Sequence, residues 1–437
     1  MCSEPVLQRL PTPRACNRHD VTPPPRWLAV ARTLRRTRLA LATLLLALAT
    51  PAWADLEIDR DGLTRRPVAA WNQAEREFGF ANWDRLFPSK AIARGPTVHA
   101  LPQGAPLAGF APGGAGALQL QRSVDDAQLS GIVVLHRGQL RLEHYARGFG
   151  ASGRWVSFSL AKSLTSTLVG AAIRDGVIGS VDDAVTRYIP ELQGSVYEGV
   201  TLKHLLTMSS GVKWNEDYAD PASDVILLFM SPVPPGMDAT ASYMKTLRRE
   251  AAPGTRWHYN TGETNLLGVV VSRATRKTLS DYASQKIWAA YGMGGDASWM
   301  LDRSGHEHGG CCIQASTRDY ARFGQFMLDG GRVQGREILP EGWLQAATRK
   351  QADIGMPGFG YGYQWWTRDD GRFNARGLHG QLIHVDPTRD LVVVINSAAP
   401  PEIGLSPAPA AAAARAALFE AIRSALDAEP QAALKPR

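Results

Sequence analysis

A chain of 437 residues can build one large domain or two with ample core, and 44% hydrophobic and 20% charged side chains are ordinary for a globular protein. The formal net charge of +7 is concentrated at one end: residues 1–54 hold eight arginines against Glu4 and Asp20, while the remainder carries 40 basic and 39 acidic groups. The body is nearly neutral, which argues against a nucleic-acid partner.

The basic end reads as an export signal. Arg32, Arg35, Arg36 and Arg38 precede the apolar run 39–50, and Ala52 and Ala54 flank Trp53 in a small-x-small cleavage pattern before Asp55. The run is too short to span a bilayer, which takes about 20 residues. A periplasmic or secreted protein is therefore expected, with no membrane contact beyond the signal. Cys2 and Cys16 fall in this segment. Adjacent cysteines bridge poorly, so Cys311 and Cys312 are expected to remain free and no structural disulfide is predicted.

Residues 55–120 are a mixed, Gly- and Pro-rich stretch expected to wrap the main domain, which spans 121–430. "GIVVLHRGQLRLEHYARGF" (131–149) predicts a β-hairpin turning at "HRGQ". "RWVSF" runs strand-like into "SLAKSLTSTLVGAAIRD", whose apolar face at Leu164, Leu168, Ala171 and Ala172 predicts a helix over 159–175. Residues about 180–300 read as helices joined by Pro/Gly/Asp loops, an inserted, mostly helical subdomain, and "TRDYARFGQFMLDGG" is a further helix. After residue 358 the pattern alternates as an antiparallel meander, and 408–427 is an alanine-rich terminal helix. The predicted fold class is α/β: an antiparallel sheet of five or more strands drawn from both ends of the chain and flanked by helices. An active site would lie at the seam with the helical subdomain.

The pattern S-x-x-K occurs three times, at Ser159–Lys162, Ser210–Lys213 and Ser242–Lys245. Ser210 runs into Gly211, a helix terminator, and Ser242 lies among charged residues on a solvated face. Only Ser159 has a strand behind it and an apolar helix ahead. Residues three apart share a helix face, so the Lys162 amine can reach the Ser159 hydroxyl. A lysine buried against an apolar wall can lose its proton and serve as a base, and the Ser159 N–H at a helix start can help hold an oxyanion. Serine is also a favoured helix cap, and that reading stays open for the motif alone. Further on, Tyr259 in "GTRWHYNTGETNLLG" stands ahead of a helix, where its hydroxyl could relay a proton. "ARGLHGQLIHVDP" (375–387) reads as a strand whose Gly377 would let a substrate lie along its edge. "HEHGGCC" (306–312) invites a zinc reading, but H-E-x-x-H is absent and no metal or cofactor is expected.

Taken in order, Ser159–Lys162, Tyr259 and the strand at Gly377 resemble the three signature elements of the serine beta-lactamase and penicillin-binding superfamily. The resemblance covers roughly residues 120–425 and is closer to its class C-like branch, with family VIII esterases and 6-aminohexanoate-dimer hydrolases. It implies an acylated Ser159, Lys162 as its base, Tyr259 as proton relay, and the Ser159 and Leu378 N–H groups as the oxyanion hole. Tyr218, Thr261, Gly377 and His379 are the candidate substrate-binding residues. Two departures stand out. Y-x-N reads Tyr259-Asn260-Thr261, and Ala375 replaces the lysine of K-T-G, with the Arg376 side chain expected on the opposite strand face. Both count against beta-lactam turnover and leave acyl transfer intact. The expected function is hydrolysis of a small-molecule ester or amide. The alternatives are a beta-lactamase or D,D-peptidase, and a non-catalytic binding protein.

Overall fold

The computed structural model describes residues 60–401 and 408–429. The basic leader, its apolar run, Cys2 and Cys16 lie outside the described residues. No helix among the described residues is long and apolar enough to cross a membrane.

Seven antiparallel strands make the main sheet, in the spatial order Gln139–Tyr145, Leu129–His136, Leu391–Ser397, Leu382–Asp386, Phe373–Arg376, Trp366–Arg368 and Phe359–Tyr361. The predicted hairpin turns at Arg137–Gly138, where both residues take positive φ (54° and 72°), as a two-residue hairpin turn requires. The last strand in sequence pairs with the first, Val393 opposite Val134, so one sheet is closed from both ends of the chain.

Period-two alternation supplies two cores from one strand. Val133 and Leu135 face one hydrophobic cluster, and Ile132 and Val134 the other. The first cluster buries the helices Ala161–Arg174 and Thr317–Leu328. The second takes Leu120 and Val124 from the helix Ala115–Asp126 and Leu418 and Ile422 from the terminal helix Pro409–Asp427. Both sheet faces are therefore covered by helices, which explains why Leu129–His136 is buried at every position rather than at alternate ones.

The sequence pointed to one sheet; a second one exists. Ser89–Ile92, Ala297–Met300, Ile313–Ala315 and Trp155–Val156 form four antiparallel strands in that order. Each is two to four residues long, too short for alternation to show in the sequence. This small sheet matters for the site. It sets Trp155–Val156, which leads into Ser159, beside Ile313–Ala315, which follows the double cysteine.

Several helices lie between the hairpin and the meander. They include Leu202–Leu206, Asp224–Met230, Ala239–Met244 and the long helix Thr261–Thr275, whose N-cap Asn260 accepts a hydrogen bond from the Glu263 N–H.

Candidate active site

Ser159 does not open the α-helix itself. It sits in a 3₁₀ turn, Phe158–Leu160, that feeds the helix Ala161–Arg174. Phe158 holds φ +46°, a left-handed conformation that a bulky residue adopts at a cost of about 1–3 kcal/mol. Tertiary contacts hold it there. The Phe158 ring packs 4.9 Å from Phe80, 5.3 Å from Trp83 and 4.8 Å from His379. Ser157 ties its N–H to the Ile313 carbonyl at 2.7 Å and accepts the Ile313 N–H on its hydroxyl at 3.0 Å.

Lys162 lies one turn on and is only 1% exposed. Its Nζ is 3.1 Å from Ser159 Oγ, 2.9 Å from Thr261 Oγ1 and 2.8 Å from the Gly310 carbonyl. Burial pushes the lysine down to about 8, with the nearby Glu216 carboxylate opposing that shift. The three contacts give the nitrogen a direction. The Gly310 carbonyl can only accept. The Thr261 hydroxyl donates its own proton to Glu216, so toward lysine it too can only accept. A neutral amine with two N–H bonds committed to those oxygens has its lone pair left for Ser159. Once charged, the same nitrogen donates to all three. The geometry therefore suits a base that takes the serine proton.

Close backbone approach builds this corner. A Cβ at Gly310 would lie 2.9 Å from the Thr261 carbonyl, and one at Gly377 would collide with the Ser157 carbonyl. Asn265 Oδ1 holds the Gly310 N–H at 2.7 Å.

Ser159 opens into a cavity of about 630 Å³. Tyr218, Tyr259, Gly377 and Leu378 line it with Ser159, so these predicted residues are brought together. The Tyr259 ring centroid lies 5.1 Å from Lys162 Nζ and stacks on Trp366 at 5.7 Å. Tyr218 donates to Glu216 at 2.8 Å. Leu378 stands in a tight turn rather than on a strand. The strand Phe373–Arg376 ends before it, and Gly377 N–H bonds the Gln381 carbonyl at 2.8 Å.

Two predicted substrate contacts lie elsewhere. Thr261 is 1% exposed and faces Lys162 and Glu216 behind the cavity wall. His379 is fully buried between the Phe80 and Phe158 rings, with Nδ1 2.7 Å from the Ala399 carbonyl, and burial pushes its imidazole down to about 3. It packs against the turn that carries Ser159 and does not line the cavity. The other S-x-x-K serines separate from their lysines in role. Ser210 is buried and bonded to Glu263 while Lys213 is exposed, and neither Ser210 nor Ser242 lines the cavity.

A profile of the beta-lactamase family matches residues 119–418. The chain belongs to the beta-lactamase family. It is 31% identical over 345 residues to the 6-aminohexanoate-dimer hydrolase of Paenarthrobacter ureafaciens, covering 74% of this chain and 86% of that protein. A Bacillus anthracis protein provisionally named a 6-aminohexanoate-dimer hydrolase shares its fold at TM-score 0.70 and 22% identity, over 86% of this chain and all of that one. EstCE1, a hydrolase with promiscuous acyltransferase activity, matches at TM-score 0.55 and 16% identity over 71% of this chain and 98% of its own. The protein is thus a hydrolase of the beta-lactamase fold.

Within this family frame the two sequence departures acquire structural content. Asn260 is spent as the cap of Thr261–Thr275, and Thr261 meets Lys162. Along Phe373–Arg376 the strand alternation holds, but its phase is the reverse of that expected. Ala375 is buried in the core, while Arg376 lines the cavity with its guanidinium 5.2 Å above the Trp366 ring. Ala375, where K-T-G has its lysine, does not line the cavity, and a cation, Arg376, stands one residue later.

The expectation of free cysteines is overturned. Cys311 and Cys312 are joined in a vicinal disulfide. Cys312 takes φ +72°, a turned backbone unlike the extended one that separates neighbouring side chains. The zinc reading also dissolves, because His308 packs against Phe229 and the sulfurs bind each other. Asp238, Asp302 and His306 do bring ligand atoms within 4.8 Å, but Asp238 caps Ala239–Met244 and Asp302 Oδ1 accepts from Ser304 and His306.

Sequence reasoning missed Glu216, Trp214, Trp257, Trp366 and the cavity-facing Arg376. "WNEDY" placed Glu216 two residues from a candidate tyrosine, which was the available signal. The others depend on loop paths that no periodicity reports.

Glu263, one turn into Thr261–Thr275, is 1% exposed, and burial pushes its carboxyl up to about 8. Its folded pKa exceeds the ordinary value, so the stability it contributes is full below about 4.5 and is lost as pH rises through about 8. Glu263→Gln is expected to flatten the unfolding midpoint across that window. A pH dependence identical in both proteins, measured by thermal melts, would contradict this.

Proposed function

We propose that the protein is an exported serine hydrolase that cleaves a small ester or linear amide through an acyl-Ser159 intermediate. The observation that carries this reading is the fully buried Lys162 with Nζ 3.1 Å from Ser159 Oγ, its other two partners both acceptors. Neutral Lys162 takes the Ser159 proton as Oγ attacks the substrate carbonyl, and the oxyanion is held by the Ser159 and Leu378 N–H groups. The proton passes from Lys162 through the Tyr259 hydroxyl to the leaving nitrogen or oxygen, and the bond to the carbonyl carbon breaks. Water then attacks the acyl carbon as the same base takes its proton, the acyl–Oγ bond breaks, and Ser159 Oγ recovers that proton from Lys162 as the acid leaves.

The substrate class draws on two supports. The Paenarthrobacter relative is named a 6-aminohexanoate-dimer hydrolase, and similarity to it extends over 86% of its length. The cavity wall is aromatic, from Trp214, Trp257, Tyr259 and Trp366, and suits an apolar acyl chain. The leader at 1–54 supports export to the periplasm or outside the cell.

Chromogenic short-chain esters, a linear amide and a cephalosporin should be compared on the mature protein. Ester or amide kcat/KM is expected to exceed that for the cephalosporin by about 10²-fold or more, because the aromatic wall suits an apolar acyl chain and Asn260 of the Y-x-N element is spent as a helix cap. Rapid cephalosporin turnover with negligible ester and amide cleavage would reverse this ranking.

A further inference from the structure

Glu216 is the most heavily bonded side chain at the site. Its Oε1 accepts from the Thr261 hydroxyl and from Tyr218 OH at 2.8 Å, and its Oε2 accepts from Thr261 N–H at 3.0 Å and from Trp214 Nε1. The four donors come from the chain around Glu216 itself and from the start of the helix Thr261–Thr275. A carboxylate at that helix start also meets the positive end of the helix dipole. With donors on both oxygens, the carboxylate has no freedom to turn away from Thr261.

Resting on the hydrolase reading above, we infer that Glu216 is a positioning residue for the Lys162 base: it fixes the Thr261 hydroxyl so that the lysine lone pair faces Ser159. The reason lies in hydroxyl rotation. A threonine hydroxyl both donates and accepts, and its hydrogen turns to whichever acceptor is available. Without Glu216, that hydrogen can turn toward Lys162 and occupy the lone pair of the neutral amine. Lys162 would then present an N–H to Ser159 and could not take the serine proton. Glu216 removes that arrangement by holding the hydrogen on its own Oε1. A threonine can replace the usual asparagine here because a carboxylate stands behind it. The Glu216 charge further supports the ammonium form of Lys162 against its burial. The other ionisable groups lining this cavity are Asp217 and Tyr218 from the Glu216 loop, His258 and Tyr259 ahead of the helix, and Arg376 over the Trp366 ring.

The test is the rate of Ser159 acylation by a fluorophosphonate and of chromogenic ester hydrolysis, each followed from below to above the lysine titration. Glu216→Gln keeps the size but carries no charge and places an amide N–H among donors. It is expected to slow acylation by about 10²-fold with KM little changed, and to move the acid limb of kcat/KM to lower pH. Thr261→Val, which removes the hydroxyl, is expected to slow acylation similarly. The double variant should be no slower than Thr261→Val alone, because Glu216 acts through that hydroxyl. Losses that multiply in the double variant, an unmoved acid limb, or a loss confined to KM would each overturn the inference. Thermal melts identify a variant that does not fold. In that event Glu216→Asp, which withdraws the carboxylate from Thr261 and keeps its charge, carries the test: an acylation rate equal to wild type overturns the inference. A wild-type protein that neither labels nor hydrolyses any ester or amide would instead strike at the proposed function.

Discussion

Ser159→Ala is expected to reduce ester or amide hydrolysis by about 10⁴-fold or more and to abolish fluorophosphonate labelling. The loss follows from the identity of the other serines nearby. Ser157 has its hydroxyl committed to Ile313 N–H and the Phe158 carbonyl. Ser163 donates to the Gln364 carbonyl at 2.7 Å, and Ser166 is fully buried. None of the three lines the cavity. The substitution removes one hydroxyl and one hydrogen bond from Lys162, so the fold should lose no more than about 1–2 kcal/mol. Intact-mass analysis after labelling decides the matter: an adduct on Ser159→Ala would mean that a different residue is the nucleophile.

Lys162→Met is expected to lower kcat/KM by about 10³- to 10⁴-fold while leaving the cavity lined as before. Methionine fills nearly the same length but cannot accept a proton. On the mechanism proposed above the base works as a neutral amine, and burial brings that form within reach by pushing Lys162 down to about 8. Activity should therefore rise with pH and level off above about 8, the free-enzyme titration appearing in kcat/KM. Lys162→Arg should be equally inactive, because guanidinium stays charged throughout this range. A wild-type profile flat through this region, or an acid limb that survives in Lys162→Met, would assign the base to another group.

Much of this site was legible before any coordinates. The i, i+3 spacing of Ser159 and Lys162 fixes a shared helix face, and the apolar residues behind them fix a buried lysine. The aromatic residue placed just before Thr261–Thr275 did come to the cavity, as did the glycine at 377. What failed were inferences about direction at the ends of elements. Alternation gives a period and no phase, so the face that Arg376 takes is set by which neighbour, here Ala375, the core accepts. His379 looked like a substrate contact because the stretch around it read as a strand. It lies in a turn, and its ring is drawn into the aromatic cluster that holds Phe158.

The cysteine pair and Glu216 show two further limits. General disulfide geometry disfavours adjacent cysteines, and only the left-handed backbone at Cys312 shows why this pair departs from the rule. Glu216 and Thr261 are separated by 45 residues, and nothing local to either announces the other.

By itself, the sequence determined the periodic elements and the residues within one turn of each other: the hairpin, the meander, the helices, and the serine with its lysine. Those follow from short-range sterics and from the apolar pattern each element must bury. Tertiary structure alone decided that a cavity opens at Ser159, what holds the left-handed turn at Phe158, and which distant acceptors surround the lysine. These depend on loop paths and on packing between segments far apart in the chain. The proton-accepting direction of Lys162 is the clearest case, since it is set by a carbonyl at Gly310 and a hydroxyl at Thr261 that meet only in the folded protein.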